Sequence, residues 1–90
     1  MTTRIRDYRL GIAENVRKAR AAAGLTQVQV TMKTGLPQVT QSKIEKNGSN
    51  FTFETAYKLA YAFGVDLSDL LPDRSAEIEG EIAEERAALG

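Results

Sequence analysis

The amino-acid sequence predicts an all-α domain of five short helices followed by an acidic C-terminal tail. Apolar residues recur at three- and four-residue steps along most of the chain, which is the period of an amphipathic helix. Each of the five segments ends at a glycine or a proline, and no segment alternates polar and apolar residues as a strand does. We therefore expect helices and no sheet.

The composition limits both the size of the domain and the chemistry it can perform. Ninety residues, 42% of them hydrophobic, suffice for one modest core. The chain has neither Cys nor His, so disulfides, a thiolate zinc site, a cysteine nucleophile and a histidine general base are excluded. We expect no catalytic residue, no metal and no cofactor.

The hydropathy pattern predicts a cytoplasmic protein. No apolar run approaches the roughly 18 residues that a membrane span needs. The N-terminus is charged and lacks the apolar core of a signal peptide. We expect no membrane partner.

The formal net charge of zero conceals a segregation of charge along the chain. Residues 1–64 hold ten basic and four acidic residues, whereas residues 65–90 hold two basic and eight acidic residues. The net positive charge of residues 1–64 favours binding to a polyanion, although the pI of 6.2 for the whole chain would argue against such a partner. Mixed charges that merely keep a small domain soluble are the alternative.

The first helix is expected from about Arg4 to Ala22, with Thr2 or Thr3 as its cap and Gly24 after its end. Gly11 weakens the middle, so the first turns are either part of this helix or a separate, frayed piece. One apolar stripe is formed by Ile5, Tyr8, Ile12, Val16, Ala19 and Ala23.

The second helix is predicted from the residues at its start and its end. Thr26 is a natural N-cap and Gln29 sits three residues later, which makes a capping box. Leu25 can pack on Val30 in the staple pattern. Gly35 falls where a helix C-terminus favours a left-handed residue.

The third helix follows after a turn of about three residues. Pro37 presets φ for a first helical turn, so the helix is expected from about Gln38 through Lys46, before the turn signal Asn47-Gly48. Two short helices joined so tightly must cross at a steep angle. This arrangement can place one helix in the major groove of DNA.

Two further helices and the tail complete the chain. The fourth helix starts at Thr52 and ends at Gly64, and its expected buried face comprises Phe53, Ala56, Tyr57, Leu59, Ala60 and Phe63. In the short fifth helix Asp66 caps, Val65 packs on Leu70, Leu71 is buried, and Pro72 stops the helix. The tail is rich in Glu with sparse apolar points, so it is either solvated and partly helical or a helix for a partner.

Taken together, residues 10–71 resemble the Cro/C1-type helix-turn-helix family, also called the XRE family. The joint order and spacing of weak landmarks supports this: Arg20, Gly24-Leu25-Thr26-Gln27, Gly35, Ser42-Lys43-Ile44-Glu45, Gly48, Phe53-Glu54-Thr55, Leu59-Ala60, Phe63-Gly64-Val65 and Leu70-Leu71. The resemblance implies a five-helix, lambda-repressor-like bundle. The domains are then an N-terminal extension of the first helix (1–9), a helix-turn-helix DNA-binding domain (10–72) and an acidic tail, partly helical or disordered (73–90).

The resemblance also implies a structural ion pair between Arg20 and Glu45, because similar family members tie their first and third helices together in this way. Two unrelated surface charges are the alternative. The chain departs from the family at Gln41, where Ile or Val usually faces the core. Either Gln41 buries its stem and finds a backbone partner, or Val39 takes part of that apolar role after a small rotation.

In proteins similar to this one, the third helix enters the major groove and its early residues read bases. Carried over by position, the base-reading candidates are Gln38, Val39 and Lys43. Glutamine can pair with adenine N6 and N7, lysine can donate to guanine, and a valine methyl can meet a thymine methyl. Solvation for Gln38, core packing for Val39 and a phosphate contact for Lys43 are the alternatives.

Phosphate contacts are expected at helix N-termini and in the flanking loops. The candidates are Thr26, Gln27, Thr40, Ser42, Lys46, Asn47, Ser49 and Asn50. Thr26 is also a sufficient helix cap, and Gly48 would let the backbone approach DNA closely. Arg17 and Lys18 either attract DNA at long range or form a solvated face.

One such module offers few base contacts, and at roughly 1–3 kcal/mol per good pair its specificity is weak. A symmetric dimer doubles it, with half-sites about one helical turn apart. We therefore expect a homodimer on a palindromic operator of double-stranded DNA. Its interface is expected at Leu67, Leu70 and Leu71, with the tail or the N-terminal extension as an optional addition.

The expected function is transcriptional regulation of prokaryotic or phage type, most simply as a repressor or autoregulator. A phage-type repressor, a restriction-modification controller and the antitoxin of a toxin–antitoxin pair all fit, and the acidic tail favours the antitoxin slightly because a basic toxin would complement it. The tail could instead cover the DNA surface. A protein-interaction module that does not bind DNA is the second class. An enzyme is excluded by the residue inventory.

Overall fold

The computed structural model describes the backbone of residues 2–72 and 75–89, and the side chains of residues 8–72 and 79–89. Within these ranges all regular structure is helical, which confirms the all-α prediction. The elements are α1 (Thr2–Ala22), α2 (Gln27–Thr34), α3 (Gln38–Asn47), α4 (Phe53–Phe63), a 3₁₀ helix (Leu67–Leu70) and α5 (Ser75–Leu89). The predicted fifth helix is the 3₁₀ turn, so α5 denotes the tail helix. No described helix is long and apolar enough to cross a bilayer.

The core lies where α1, α3, α4 and the 3₁₀ helix meet, with α2 packed on α3 and α4. Its members are Ile12, Val16, Val30, Ile44, Leu59, Ala60, Ala62, Phe63 and Leu70. The predicted stripe of α1 is confirmed at Ile12 and Val16, whereas Ala23 is exposed and the Ile5 side chain lies outside the described residues. Ala13, which the stripe omitted, is fully buried.

Local capping chemistry sets the ends of the helices that hold the site. Thr26 caps α2 in the predicted capping box, because its hydroxyl accepts from the Gln29 amide while the Gln29 side chain accepts from the Thr26 amide. Gly35 follows α2 in the predicted left-handed conformation, and Gly48, at the predicted turn after α3, adopts the same conformation. Thr52 caps α4. These predictions are confirmed.

Two glycines allow close packing against α1. The helix runs unbroken through Gly11, where an added Cβ would lie 2.9 Å from Cγ of Pro72. Gly48 is buried, and an added Cβ there would overlap the backbone carbonyl of Arg9. Of the two alternatives for the first turns, the structure has them as part of α1. The close approach at Gly48, expected toward DNA, is made to α1.

The predicted buried face of α4 is wrong at two positions. Phe53 and Tyr57 are 75% and 64% exposed, while Ala56, Leu59, Ala60 and Phe63 are buried as expected. Eight of the 11 residues of α4 are aromatic, Ala or Leu, so the apolar pattern runs around most of the helix. Such a pattern does not determine which side faces the core.

Two expectations near the C-terminus change as well. Leu71, expected to be buried, is 39% exposed because the chain turns extended after the 3₁₀ helix. The tail is helical from Ser75 to Leu89, across Gly80, and among the described residues α5 makes no substantial helix–helix contact with the other elements. The molecule is elongated, 52 × 22 × 19 Å. The cap expected at Thr2 or Thr3 involves side chains outside the described residues.

Candidate nucleic-acid interface

Helix α3 has one face in the core and one face in solvent. Gln41, Ile44 and Glu45 are buried. On the opposite side, Val39 is 62% exposed, and Lys43 lies one turn further along the same exposed face. Gln38, Ser42 and Lys46 are exposed beside them. All three base-reading candidates therefore lie on a free surface of α3.

A buried ion pair fixes α3 against α1. The Arg20 guanidinium donates from Nε to Glu45 Oε2 at 2.8 Å and from a terminal nitrogen to Glu45 Oε1 at 2.9 Å. A third Arg20 nitrogen donates to the carbonyl of Leu25 at 2.9 Å, just before α2. This fork-shaped geometry satisfies both carboxylate oxygens and orients α3 relative to the start of α2.

Arg17 adds a second link that the sequence analysis did not foresee. Its guanidinium donates to the backbone carbonyl of Glu45. Arg17 lies three residues before Arg20, on the neighbouring turn of α1, so both cations face the end of α3. That spacing was a usable signal, although the charge of Arg17 alone suits DNA attraction equally well.

Gln41 resolves the departure from the family pattern. Its side chain is 0% exposed and its Nε2 donates to Glu45 Oε2 at 2.6 Å. The partner is therefore a carboxylate, where a backbone group was expected. Among the described residues, Gln41 Oε1 has no hydrogen-bond partner. Val39 stays exposed, so α3 has not rotated to bury it.

The charge state of Glu45 follows from opposing influences. Burial by itself raises the pKa of a carboxyl group, because it disfavours the charged form. Hydrogen bonds from Arg20 and Gln41, the charge of Arg20 and a hydrogen bond from Gln27 together outweigh burial and hold the pKa of Glu45 below 4.5. Glu45 is therefore ionised at neutral pH and anchors the cluster.

Two phosphate candidates meet at the junction of α2 and α3. The Ser42 hydroxyl donates to Gln27 Oε1 at 2.9 Å, and the Gln27 side chain also reaches Glu45. Polar groups on the exposed surface are thus connected to the buried ion pair. Thr26 is exposed at the start of α2, with its hydroxyl used in the cap.

The remaining phosphate-contact candidates lie in α3 and in the loop that follows it. Asn47 Oδ1 accepts from the amide of Ser49 at 3.0 Å and from the Ser49 hydroxyl, which forms a local turn. Asn50 adopts a positive φ of 62°. Lys46 is exposed, whereas Thr40 is half-buried. The side-chain oxygens of this loop are partly committed to its own shape.

The leucines expected at a dimer interface are separated by the fold. Leu70 does not belong in that group, because its side chain is 0% exposed within the core of one chain. Leu67 and Leu71 line a shallow cleft of about 300 Å³ together with Phe51, Phe53 and others. Only Leu67 and Leu71 are accessible to a second copy.

Residues 16–70 match the family model described as helix-turn-helix. The chain is 35% identical over 65 residues, 72% of its length, to the uncharacterized HTH-type transcriptional regulator y4dJ of Sinorhizobium fredii, and it covers 84% of that relative. It is similar to the restriction-modification controller C.AhdI from Aeromonas hydrophila, with a TM-score of 0.66, 24% identity, and coverage of 70% of this chain and 96% of that one. For the hypothetical transcription factor NHTF from Neisseria the TM-score is 0.67, with 26% identity and coverage of 80% and 83%.

Proposed function

Because the chain belongs to the Cro/C1-type (XRE) helix-turn-helix family of transcriptional regulators, we propose that it reads double-stranded DNA with α3 in the major groove. The proposal rests on one observation: Val39 and Lys43 are exposed on the face of α3 opposite the buried Gln41 and Glu45. A helix anchored on one side and polar on the other can enter a groove without losing its core contacts.

The three exposed side chains suit distinct base edges. Gln38, in the first turn of α3, can form a bidentate pair with adenine. Lys43 can donate to guanine O6 or N7, and the methyl groups of Val39 can contact a thymine methyl. Each good polar pair supplies roughly 1–3 kcal/mol of discrimination.

Phosphate groups flanking these bases would lie against the start of α2 and the loop after α3. Lys46 supplies a positive charge there, and the amides near Thr26 and Gln27 supply donors. Ser42, Thr40, Asn47, Ser49 and Asn50 complete the proposed set. These contacts position the protein and make binding sensitive to salt, but they do not select a sequence.

We further propose that the protein acts as a homodimer on a palindromic operator, in the cytoplasm, and represses its own gene. Two half-sites double the small number of base contacts that one α3 offers. A dimer bound across a promoter can repress by occupancy alone, which requires no additional contact with the transcription machinery. The similarity to a restriction-modification controller and a transcription factor supports this class of regulator.

The decisive experiment is a titration of the protein against the DNA upstream of its own gene and against random DNA, each at two salt concentrations. We expect tight binding upstream and weak, steeply salt-dependent binding to random DNA. Gln38→Ala should lower affinity for the operator alone, whereas Lys46→Ala should lower both affinities. Met32→Ala serves as the matched control, since Met32 is exposed on α2 away from these contacts. Equal affinity for both DNAs in the unmodified protein would contradict the proposal.

A second candidate function is capture of a basic protein partner, as in an antitoxin. The observation that favours it is α5, which is acidic and makes no substantial contact with the rest of the described chain. Deleting residues 73–90 would then abolish partner binding and leave DNA affinity unchanged. If the deletion instead tightens DNA binding, the tail covers the DNA surface.

A further inference from the structure

A shallow groove between α2 and α4 combines aromatic rings with positive charge. Lys33, Thr34, Tyr57, Lys58 and Tyr61 line it. Tyr57 and Tyr61 are 64% and 83% exposed and lie one helical turn apart on α4. Exposed aromatic side chains are enriched at protein interfaces, and single-chain domains seldom leave neighbouring rings in water. We name these five residues the tyrosine–lysine groove.

The charges of the groove are available to a partner. Lys33 forms no ion pair within the part of the chain that the structure describes. Lys58 pairs with Glu54 at 3.1 Å, but Glu54 is 80% exposed, so this contact is weak and exchangeable. An acidic, partly apolar segment would complement both the rings and the lysines.

Helix α5 has the complementary properties. Residues 75–89 contain five Glu and one basic residue, Arg86. Ile82 and Leu89 lie seven residues apart on one face, both exposed, and the exposed Glu79 and Glu85 flank Ile82 at three residues on either side. An isolated helix of this length with a central glycine is marginally stable in water, so it gains from a packing surface.

We propose that α5 of one chain docks in the tyrosine–lysine groove of a second copy, and that the exchange is reciprocal. Ile82 and Leu89 would pack on Tyr57 and Tyr61, with Glu79 and Glu85 near Lys33 and Lys58. The proposal rests on the homodimer within the proposed function, and it names the surface that forms it. It is independent of which DNA sequence α3 reads.

The shape of the molecule favours a second copy over the same chain. A 15-residue helix is about 22 Å long. Within the described part of the chain, α5 makes no substantial helix–helix contact, and the molecule extends to 52 Å. Two tyrosines at these exposures present about 300 Å², and a docked helix loses a similar area. Two reciprocal grooves would therefore bury about 1,200 Å², the lower end for a specific interface.

The test reverses charges on each side of the contact in the full-length chain. The groove variant is Lys33→Glu with Lys58→Glu, and the tail variant is Glu79→Lys with Glu85→Lys. Sedimentation equilibrium distinguishes the 9.9 kDa chain from its dimer. We expect the dimer dissociation constant of each variant to rise about a hundredfold, because like charges then face each other.

Mixing the two variants provides the matched rescue. In the mixture every groove of one variant meets an oppositely charged tail of the other, so a heterodimer should form with near-original affinity. A chain with all four substitutions should also dimerise. If the chain with all four substitutions regains dimerisation but the mixture of the two variants does not, α5 docks on its own chain, which would overturn the proposal.

Two further outcomes would also overturn it. If both variants remain dimeric, the interface lies elsewhere, for example at Leu67 and Leu71. If the unmodified chain is a monomer at all concentrations, α5 is free for a basic partner.

Two controls accompany these measurements. Circular dichroism confirms that each variant is folded, and binding to a single half-site reports on α3 separately. If the unmodified protein does not bind a half-site, the DNA proposal is contradicted, but the dimer measurement still stands.

Discussion

Replacing Glu45 with alanine tests whether one buried carboxylate holds α3 in place. The Glu45 side chain is 4% exposed, and its carboxylate accepts two hydrogen bonds from Arg20 and one from Gln41. Alanine removes the acceptor but leaves an Arg20 side chain that is only 23% exposed and a fully buried Gln41. Arg20 would keep its bond to the Leu25 carbonyl, but its two N–H groups that bind Glu45 and the Gln41 Nε2 would lose their acceptor in a place that water reaches poorly.

The expected loss is large relative to the stability of a small domain. Breaking a buried ion pair by removing one partner costs about 3–5 kcal/mol. The partial exposure of Arg20 lets water replace some of the lost bonds, so we expect about 3 kcal/mol for Glu45→Ala. The total for 90 residues is of order 5–13 kcal/mol, so this variant should remain folded but lose a substantial fraction of its free energy of unfolding.

Urea unfolding followed by far-UV circular dichroism measures this loss. With a slope of about 1 kcal/mol per molar urea, the midpoint should fall by about 3 M. Glu14→Ala is the matched control, because Glu14 forms an exposed ion pair with Lys18 at 3.0 Å within α1, and its midpoint should not move measurably. If the two variants shift equally, the buried pair does not stabilise the fold and the account of α3 fails.

Three further predictions concern the ionisation of Glu45, the glycine that follows α3, and the buried Gln41. The folded pKa of Glu45 lies below 4.5, so the stability that its charge contributes is complete above that pH and is lost as the pH falls through the folded pKa. In urea unfolding at decreasing acidic pH, the free energy of unfolding should therefore fall more steeply for the original chain than for Glu45→Gln. Gly48→Ala should cost about 2–4 kcal/mol, since both positive φ and overlap with Arg9 oppose it. Gly35→Ala, with positive φ but open space, should cost about 1 kcal/mol, and equal losses would contradict the overlap. Gln41→Met should change stability by less than about 1 kcal/mol, because losing the bond to Glu45 is offset by removing an unpartnered buried carbonyl; a loss like that of Glu45→Ala would refute this.

The features predicted correctly from the sequence are those that depend on neighbouring residues. The capping box of Thr26 and Gln29, the left-handed conformation of Gly35 and the turn at Gly48 are set by hydrogen bonds and steric limits within a few residues. Their spacing along the chain therefore specifies the turn between α2 and α3. The ends of the candidate site follow from that turn.

The features that the sequence predicts wrongly depend on which elements lie across the core. The sequence predicts Phe53 and Tyr57 on the buried face of α4, yet α4 has small and apolar residues nearly all round, and contacts with α1 and α2 decide its orientation. The sequence also predicts Leu70 at a dimer surface, yet its side chain fills the core. Hydrophobic periodicity reports how apolar a face is, but it does not identify the neighbour.

The facing of α3 shows why a polar residue could occupy a core position. Successive residues of a helix are about 100° apart, so Val39 and Gln41, two positions apart, are separated by about 160° around α3. Turning α3 that far to bury Val39 in place of Gln41 would also pull Glu45 away from Arg20. Breaking that pair costs about 3–5 kcal/mol, whereas Gln41 offsets much of its own burial by donating to the same carboxylate at 2.6 Å. The ion pair therefore fixes the orientation of α3, and the residue at position 41 adapts to it. As a consequence Val39 and Lys43 remain in solvent, where the proposed contacts with DNA require them.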